Sequence, residues 1–331
     1  MVTSAERQDR VLEALSRCVV WHPGFVRAHQ MAQRSMSTTR DRRAATSMML
    51  TGETGVGKST LCEKIEHELG VVSDLDTEQS HILTKPCLRV EVPPEATIKS
   101  LAIELLTHLG LHDTERLEHF SSTSLTRLII QRLLVMQTQL IILDEFHRII
   151  DQGQAPTKKK VCRWVNQLLN QTKLPILLAG LPKIEQLIDT IEELSDRYPY
   201  RARLRYFDFT DRASTAQFHK LIEAIEHNVI EPAGFTERVV LTQETTFKAI
   251  CLATSGNLRH LNILLNDSLT PVLSRADSKF ALEDLACAAD FHDFCGAQNP
   301  FRLSDKELNA AWRKQYESTL LSTQARRVRG P

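Results

Sequence analysis

Ser47-Met48-Met49-Leu50-Thr51-Gly52-Glu53-Thr54-Gly55-Val56-Gly57-Lys58-Ser59 runs from a short apolar segment, through a glycine-rich turn, into residues 59–69 with helical periodicity. Gly52 to Ser59 fits the spacing GxxxxGK[ST] in the strand–loop–helix setting that a phosphate-binding loop requires. Glycine leaves the backbone N–H groups clear to point at an anion, and the helix that follows adds its positive end. Gly52, Glu53, Thr54, Gly55, Val56, Gly57, Lys58, Ser59 and Thr60 are therefore the candidate ATP-binding residues. Lys58 is expected at the β- and γ-phosphates, and the Ser59 hydroxyl on Mg2+.

Some loops of this kind bind nucleotide without turning it over, so hydrolysis needs a second element. Leu140-Ile141-Ile142-Leu143-Asp144-Glu145 supplies one: a continuously apolar run, as in a strand buried on both faces, ending in two acids. The carboxyl ends of parallel strands are where α/β ligands sit. Asp144 is the expected magnesium residue and Glu145 the expected base for the attacking water. Alone, the two acids would read as caps for the helix that follows.

Around these motifs the pattern alternates. Strands are expected at 47–50, 87–92, 140–143, 174–179 and 204–209. Helices are expected at 59–69, 98–109, 125–137, 159–171 and 182–194. This rhythm implies a parallel sheet covered on both faces, an α/β fold. After Thr210 only helices remain, at 214–228, 245–253, 258–269 and 282–291. Two helices, 5–18 and 25–36, precede the sheet, with a polar linker at 37–43. The expected domains are an N-terminal helical extension (1–45), an ATPase core (46–210), a helical lid (211–292) and a polar C-terminal tail (293–331) carrying Arg326, Arg327 and Arg329.

Composition narrows the class further. The 331 residues carry 41 basic and 41 acidic side chains, so net charge gives no argument for a nucleic-acid partner and only local clusters could. Seven cysteines, an odd number without a CxxC pair, argue against disulfides and zinc and for a reducing compartment. No signal peptide is evident, and no apolar run reaches the ~20 residues of a membrane span. The expectation is a soluble, cytoplasmic protein with no membrane partner.

Phosphoryl transfer gains from an arginine placed on the γ-phosphate, often by a neighbouring subunit. Asp196-Arg197-Tyr198-Pro199-Tyr200-Arg201-Ala202-Arg203-Leu204-Arg205 offers four, just ahead of the expected last strand; Arg197 is the first candidate and Arg201 the second. A solvated basic edge or a nucleic-acid patch is the plainer reading. Ser255-Gly256-Asn257-Leu258-Arg259 starts a helix in the lid, which makes Arg259 a candidate nucleotide contact or else an ordinary surface arginine. Ala179-Gly180-Leu181 lacks the polar residue that usually senses the γ-phosphate at that strand end.

Together these residues resemble an AAA+ ATPase, and within that class the TnsC/TniB family of transposition regulators, related to MuB. The segments that carry the resemblance, which spans about residues 8–300, are Val20-Trp21-His22-Pro23, the phosphate loop, Leu143-Asp144-Glu145-Phe146-His147 and Leu174-Pro175-Ile176 running into Ala179-Gly180-Leu181-Pro182. Arg197-Tyr198 and Asn299-Pro300-Phe301 also match. The resemblance implies ATP-dependent rings or filaments on double-stranded DNA, linking a TniQ-like target-selection protein to a TnsB-like transposase, with hydrolysis dismantling the oligomer. The modest chain length is similar to that of regulators from CRISPR-associated transposons. In such proteins DNA contacts face the pore. Thr97-Ile98-Lys99-Ser100 begins a helix, so Lys99 leads as the phosphate contact, followed by Thr97 and Arg127; a solvated Lys99 is the competing reading. A replication-initiator or clamp-loader-like ATPase, and a P-loop kinase, are the alternatives.

Overall fold

The computed structural model describes residues 4–42, 45–70, 73–77, 80–152, 155–275, 277 and 279–315. The chain divides into two compact units, one of residues 23–205 and one of residues 1–22 with 206 onward. The expected extension 1–45 is therefore split: α1 (Ser4–Arg17) belongs to the second unit and α2 (Pro23–Arg42) to the first.

The α/β unit continues with β1 (Met48–Thr51), α3 (Lys58–Leu69), the hairpin β2 (Ser73–Thr77) and β3 (Ser80–Thr84), and β4 (Cys87–Glu91). Next come α4 (Ile98–His108), α5 (Thr114–Glu118), α6 (Ser122–Val135), β5 (Leu140–Asp144), α7 (Arg148–Gln152) and α8 (Ala155–Thr172). It closes with β6 (Ile176–Gly180), α9 (Lys183–Asp189), α10 (Glu192–Ser195) and β7 (Tyr200–Arg203). Five strands form one parallel sheet in the order β4-β5-β6-β1-β7. Every residue of β1, β5 and β6 is buried, which explains their unbroken apolar runs. The core beneath the sheet gathers Leu88, Leu105, Ile129, Ile141, Val165, Leu178 and Tyr198.

Three expectations need correction here. The last strand is not 204–209 but Tyr200–Arg203, pairing β1 in parallel with Met48 opposite Tyr200 and Thr51 opposite Arg203. As an edge strand it tolerates a charged outer face, with Ala202 alone buried; alternation, not an apolar run, was its signature. The polar stretch after residue 36 is no linker, because α2 runs on to Arg42. Its hydroxyls are used internally: Ser35 and Thr39 donate to the Thr46 carbonyl at 2.7 and 3.0 Å, and Thr39 also to the Ser35 carbonyl at 2.8 Å. The helix expected at 182–194 is two, interrupted between Asp189 and Glu192.

The helical unit comprises α1, α11 (Arg212–Ile225) with a π turn at Glu226–Ile230, and the two-residue strands β8 (Glu237–Arg238) and β9 (Lys279–Phe280). To these it adds α12 (Glu244–Thr254), α13 (Leu258–Ser274), α14 (Leu282–Asp290) and α15 (305–315). Its core includes Phe218, Leu264, Leu265 and Leu285. Cys295, Phe301 and Leu308 join that core, so the expected tail begins as packed structure. Arg326, Arg327 and Arg329 lie outside the described residues. Among the described residues no helix is long and apolar enough to cross a membrane, and all seven cysteines are free.

Candidate nucleotide site

The glycine loop joins β1, which lies between β6 and the edge strand β7, to α3. Gly57 stands at the helix N-cap with φ 93° and ψ 17°, a left-handed geometry that side chains disfavour. The first intrahelical bond runs from Leu61 N–H to the Gly57 carbonyl at 3.0 Å. The N–H groups of Ser59 and Thr60 precede that bond, so they and the dipole's positive end can face an anion. Val56 is buried, whereas Glu53 and Thr54 are exposed. Lys58 is buried, its Nζ donating to the carbonyls of Gly52 and Glu53, both at 2.9 Å. An ammonium held over its own loop's carbonyls sits ready to exchange them for phosphate oxygens.

Two places along the sheet, β5 ends in the acids. Asp144 is buried; its Oδ1 accepts from the Glu145 backbone N–H at 2.9 Å, and its Oδ2 from Arg89 Nη2 at 3.2 Å. Arg89 Nη1 also donates to Glu63 Oε1 on α3 at 3.1 Å. One guanidinium thus spans from the helix that follows the phosphate loop to the end of the acidic strand, bringing the two sequence motifs together. Sequence reasoning passed over Arg89. Its signal was a lone basic residue inside the apolar run Cys87-Leu88-Arg89-Val90. Burial above all, and next the Asp144 carboxylate, push the thiol of nearby Cys62 well up, so it stays protonated.

Glu145 leaves the strand with φ 54°, a backbone state that is rare outside glycine and concentrates at functional sites. Its Oε2 lies 3.1 Å from His147 Nδ1. Beside the acids, Arg148 links Glu91 at 2.5 Å to the Val92 carbonyl at 2.7 Å, tying α7 to the end of β4.

The arginine segment behaves differently. Arg201 makes a two-pronged pair with Asp189, Nη1 to Oδ2 at 2.9 Å and Nη2 to Oδ1 at 2.5 Å, and reaches Ser195 Oγ at 3.0 Å. Arg203 pairs with Glu185 through Nε and Nη2, at 3.0 and 2.6 Å to Oε2. Burial tends to raise the Glu185 carboxyl; hydrogen bonds from Arg203 and from Thr51, the latter 2.6 Å long, outweigh it and hold the group below its ordinary value. Two of the four arginines thus strap the edge strand to α9. Arg197 meets only a neutral amide in the described structure, Nη2 to Asn170 Oδ1 at 3.2 Å, and Arg205 is exposed.

The remaining candidates are scattered. Thr97 caps α4: its hydroxyl accepts from Ser100 N–H at 3.0 Å and the Ser100 hydroxyl accepts from Thr97 N–H at 2.9 Å. Lys99 donates to the Glu118 carbonyl, while Arg127 is exposed on α6. Arg259 belongs to the helical unit, second in α13, where the Asn257 side chain caps its backbone N–H at 2.9 Å.

A family model described as bacterial TniB protein matches residues 21–206. The fold is that of AAA+ ATPases. The Aeropyrum pernix ORC2 protein, solved as ADPNP-ADP complexes, superposes with a TM-score of 0.58 at 12% identity, covering 80% of this chain and 66% of that one. The Aeropyrum pernix ORC1 protein in complex with DNA gives 0.59 at 13% identity, covering 85% and 69%. The chain thus spans about two thirds of each. No curated protein sequence matches.

Proposed function

Because this chain belongs to the TniB family, matched over more than half its length, we propose that it is an ATP-dependent regulator of DNA transposition. In this reading it binds Mg-ATP at Gly52–Thr60, assembles on double-stranded DNA and links a TniQ-like target-selection protein to a TnsB-like transposase. Hydrolysis dismantles the assembly. The observation that carries the proposal is Lys58 folded over the glycine loop, with Arg89 tying α3, the helix that Lys58 begins, to Asp144 at the end of β5.

Lys58 would exchange the carbonyls of Gly52 and Glu53 for the β- and γ-phosphates, while the backbone donors of Ser59 and Thr60 close on the same oxygens. Ser59 Oγ and the Asp144 carboxylate fit magnesium, being hard oxygen donors. Magnesium there would supply positive charge for the phosphate oxygens. Glu145 takes the proton of the attacking water.

Arg197 is the preferred trans-acting arginine because a single neutral amide is easily released, whereas Arg201 is held on two sides by Asp189. Arg259 would contact nucleotide from the helical unit. Lys99, Thr97 and Arg127 are proposed to face duplex phosphates, with Thr97 acting through the helix end it caps. The DNA in the ORC1 structure supports a duplex partner by analogy of fold alone.

Filter binding of the full chain to labelled duplex, with and without ATP, tests the proposal. Retention should rise at least about tenfold with ATP and fall steeply with salt. Equal retention in both arms at every salt concentration would remove nucleotide gating.

A further inference from the structure

The strand end opposite Glu145 lacks the polar side chain that a γ-phosphate site ordinarily presents. β6 finishes Ala179-Gly180 and is followed by Leu181. His147 occupies the space beside it. A Cβ on Gly180 would stand 3.2 Å from His147 Nδ1 and 3.2 Å from its backbone nitrogen, so the missing side chain is what admits the imidazole. The backbone fixes the approach, since Phe146 N–H donates to the Ala179 carbonyl at 2.8 Å.

The ring is mostly enclosed, its side chain 15% exposed. Nδ1 faces Glu145 Oε2 at 3.1 Å, yet among the described residues it makes no aligned hydrogen bond, although it is buried. Nε2 lies 3.8 Å from Asp151 Oδ2, and Asp151 is paired with Lys183 on α9. Burial first, opposed by Glu145, keeps the imidazole below its ordinary value and so neutral at neutral pH. A buried ring nitrogen turned towards the carboxylate of Glu145, which stands on a left-handed backbone, has a clear use: it steers that carboxylate.

We propose that His147 is a positioning residue for Glu145, its Nδ1 standing in for the polar group absent from the end of β6. The proposal rests on the hydrolytic role of Glu145. In that reaction the water oxygen bonds to the γ-phosphorus as the bond to the β–γ bridging oxygen breaks. Glu145 receives the water proton. His147 holds the accepting oxygen in place and itself neither gains nor loses a proton.

Steady-state ATP turnover of the full chain with duplex DNA tests this, comparing His147→Asn with His147→Gln. Asparagine places a nitrogen near the position of Nδ1, and glutamine near that of Nε2. His147→Asn is expected to keep at least about a third of the wild-type kcat, and His147→Gln to lose roughly 10- to 100-fold, the usual range for an outer-shell partner. KM for ATP should move less than about threefold in both, because Glu145 acts after binding. Adding His147→Gln to Glu145→Gln should cost no further rate, since one residue acts through the other. Equal losses in the two histidine variants, or an additive loss on Glu145→Gln, would overturn the proposal while leaving the ATPase reading intact. A wild-type chain that binds ATP without turnover would instead remove the hydrolytic reading, and this inference with it.

Discussion

The phosphate loop with the end of β5, and the arginine run from 197 to 205, are both dense in residues suited to phosphoryl transfer, yet the fold uses them in opposite ways. At the loop the backbone geometry itself carries the pattern: a left-handed Gly57, a helix start that comes before the first intrahelical bond, and a lysine resting on the carbonyls of Gly52 and Glu53. Along β7 the charges are already spent on one another, Arg201 on Asp189 and Arg203 on Glu185. A motif defined by backbone geometry announces its use in the sequence. A cluster defined by charge does so only when its partners are known.

The comparison breaks first at Lys58. Lys58→Ala should abolish ATP binding by calorimetry and, with it, nucleotide-dependent assembly; normal assembly would show that the loop's shape is not for phosphate. Next is Glu145→Gln, where ATP affinity should stay within about threefold while turnover falls roughly 10²- to 10⁴-fold and DNA-bound oligomers persist longer. Loss of ATP binding in that variant would make Glu145 structural.

The contrast sharpens within the arginine run. Arg197→Ala should lower turnover of the assembled protein by about 1,000-fold or more, at the low side of what a trans arginine supplies, with ATP affinity retained. Arg201→Ala should leave turnover within about threefold and lower thermal stability instead, by roughly 0.5–1 kcal/mol for a partly exposed pair. The reverse pattern would assign the finger to Arg201.

The smallest effect is a pH dependence. The hydrogen bond from Arg201 holds the Asp189 carboxyl below its ordinary value. A depressed carboxylate stabilises the fold above its unfolded value, about 3.9, and loses that contribution as pH falls through the folded value. The difference in Tm between the wild type and Asp189→Asn should therefore be constant above about pH 5 and shrink below pH 4. A difference that grows on acidification would mean the pair does not stabilise the fold.

Much of the central fold was legible because β1, β5 and β6 are buried and apolar up to their last residue, and the glycine loop marks where β1 must end. Elements whose pattern comes from local polar bonding escaped. α2 continues through Ser37–Arg42 because Ser35 and Thr39 find the Thr46 carbonyl. β7 hides its strand character behind Arg201 and Arg203, whose partners lie on a helix at a distance in sequence. The hairpin β2–β3 carries Asp74 and Asp76 in alternation with few apolar residues to reveal it. Packing by Cys295, Phe301 and Leu308 turned the start of the expected tail into core. In the site, the loop and both acids were readable; Arg89 showed only as one basic residue in an apolar run, and its partners, like the setting of His147 against Gly180, depend on neighbouring elements.

Sedimentation velocity of the full chain with duplex DNA, run with ATP, without ATP, and with Lys58→Ala, tests nucleotide-gated assembly most directly. The expected result is a fast-sedimenting protein–DNA oligomer in the first run alone. An oligomer of the same size in all three, or a monomer throughout, would contradict it.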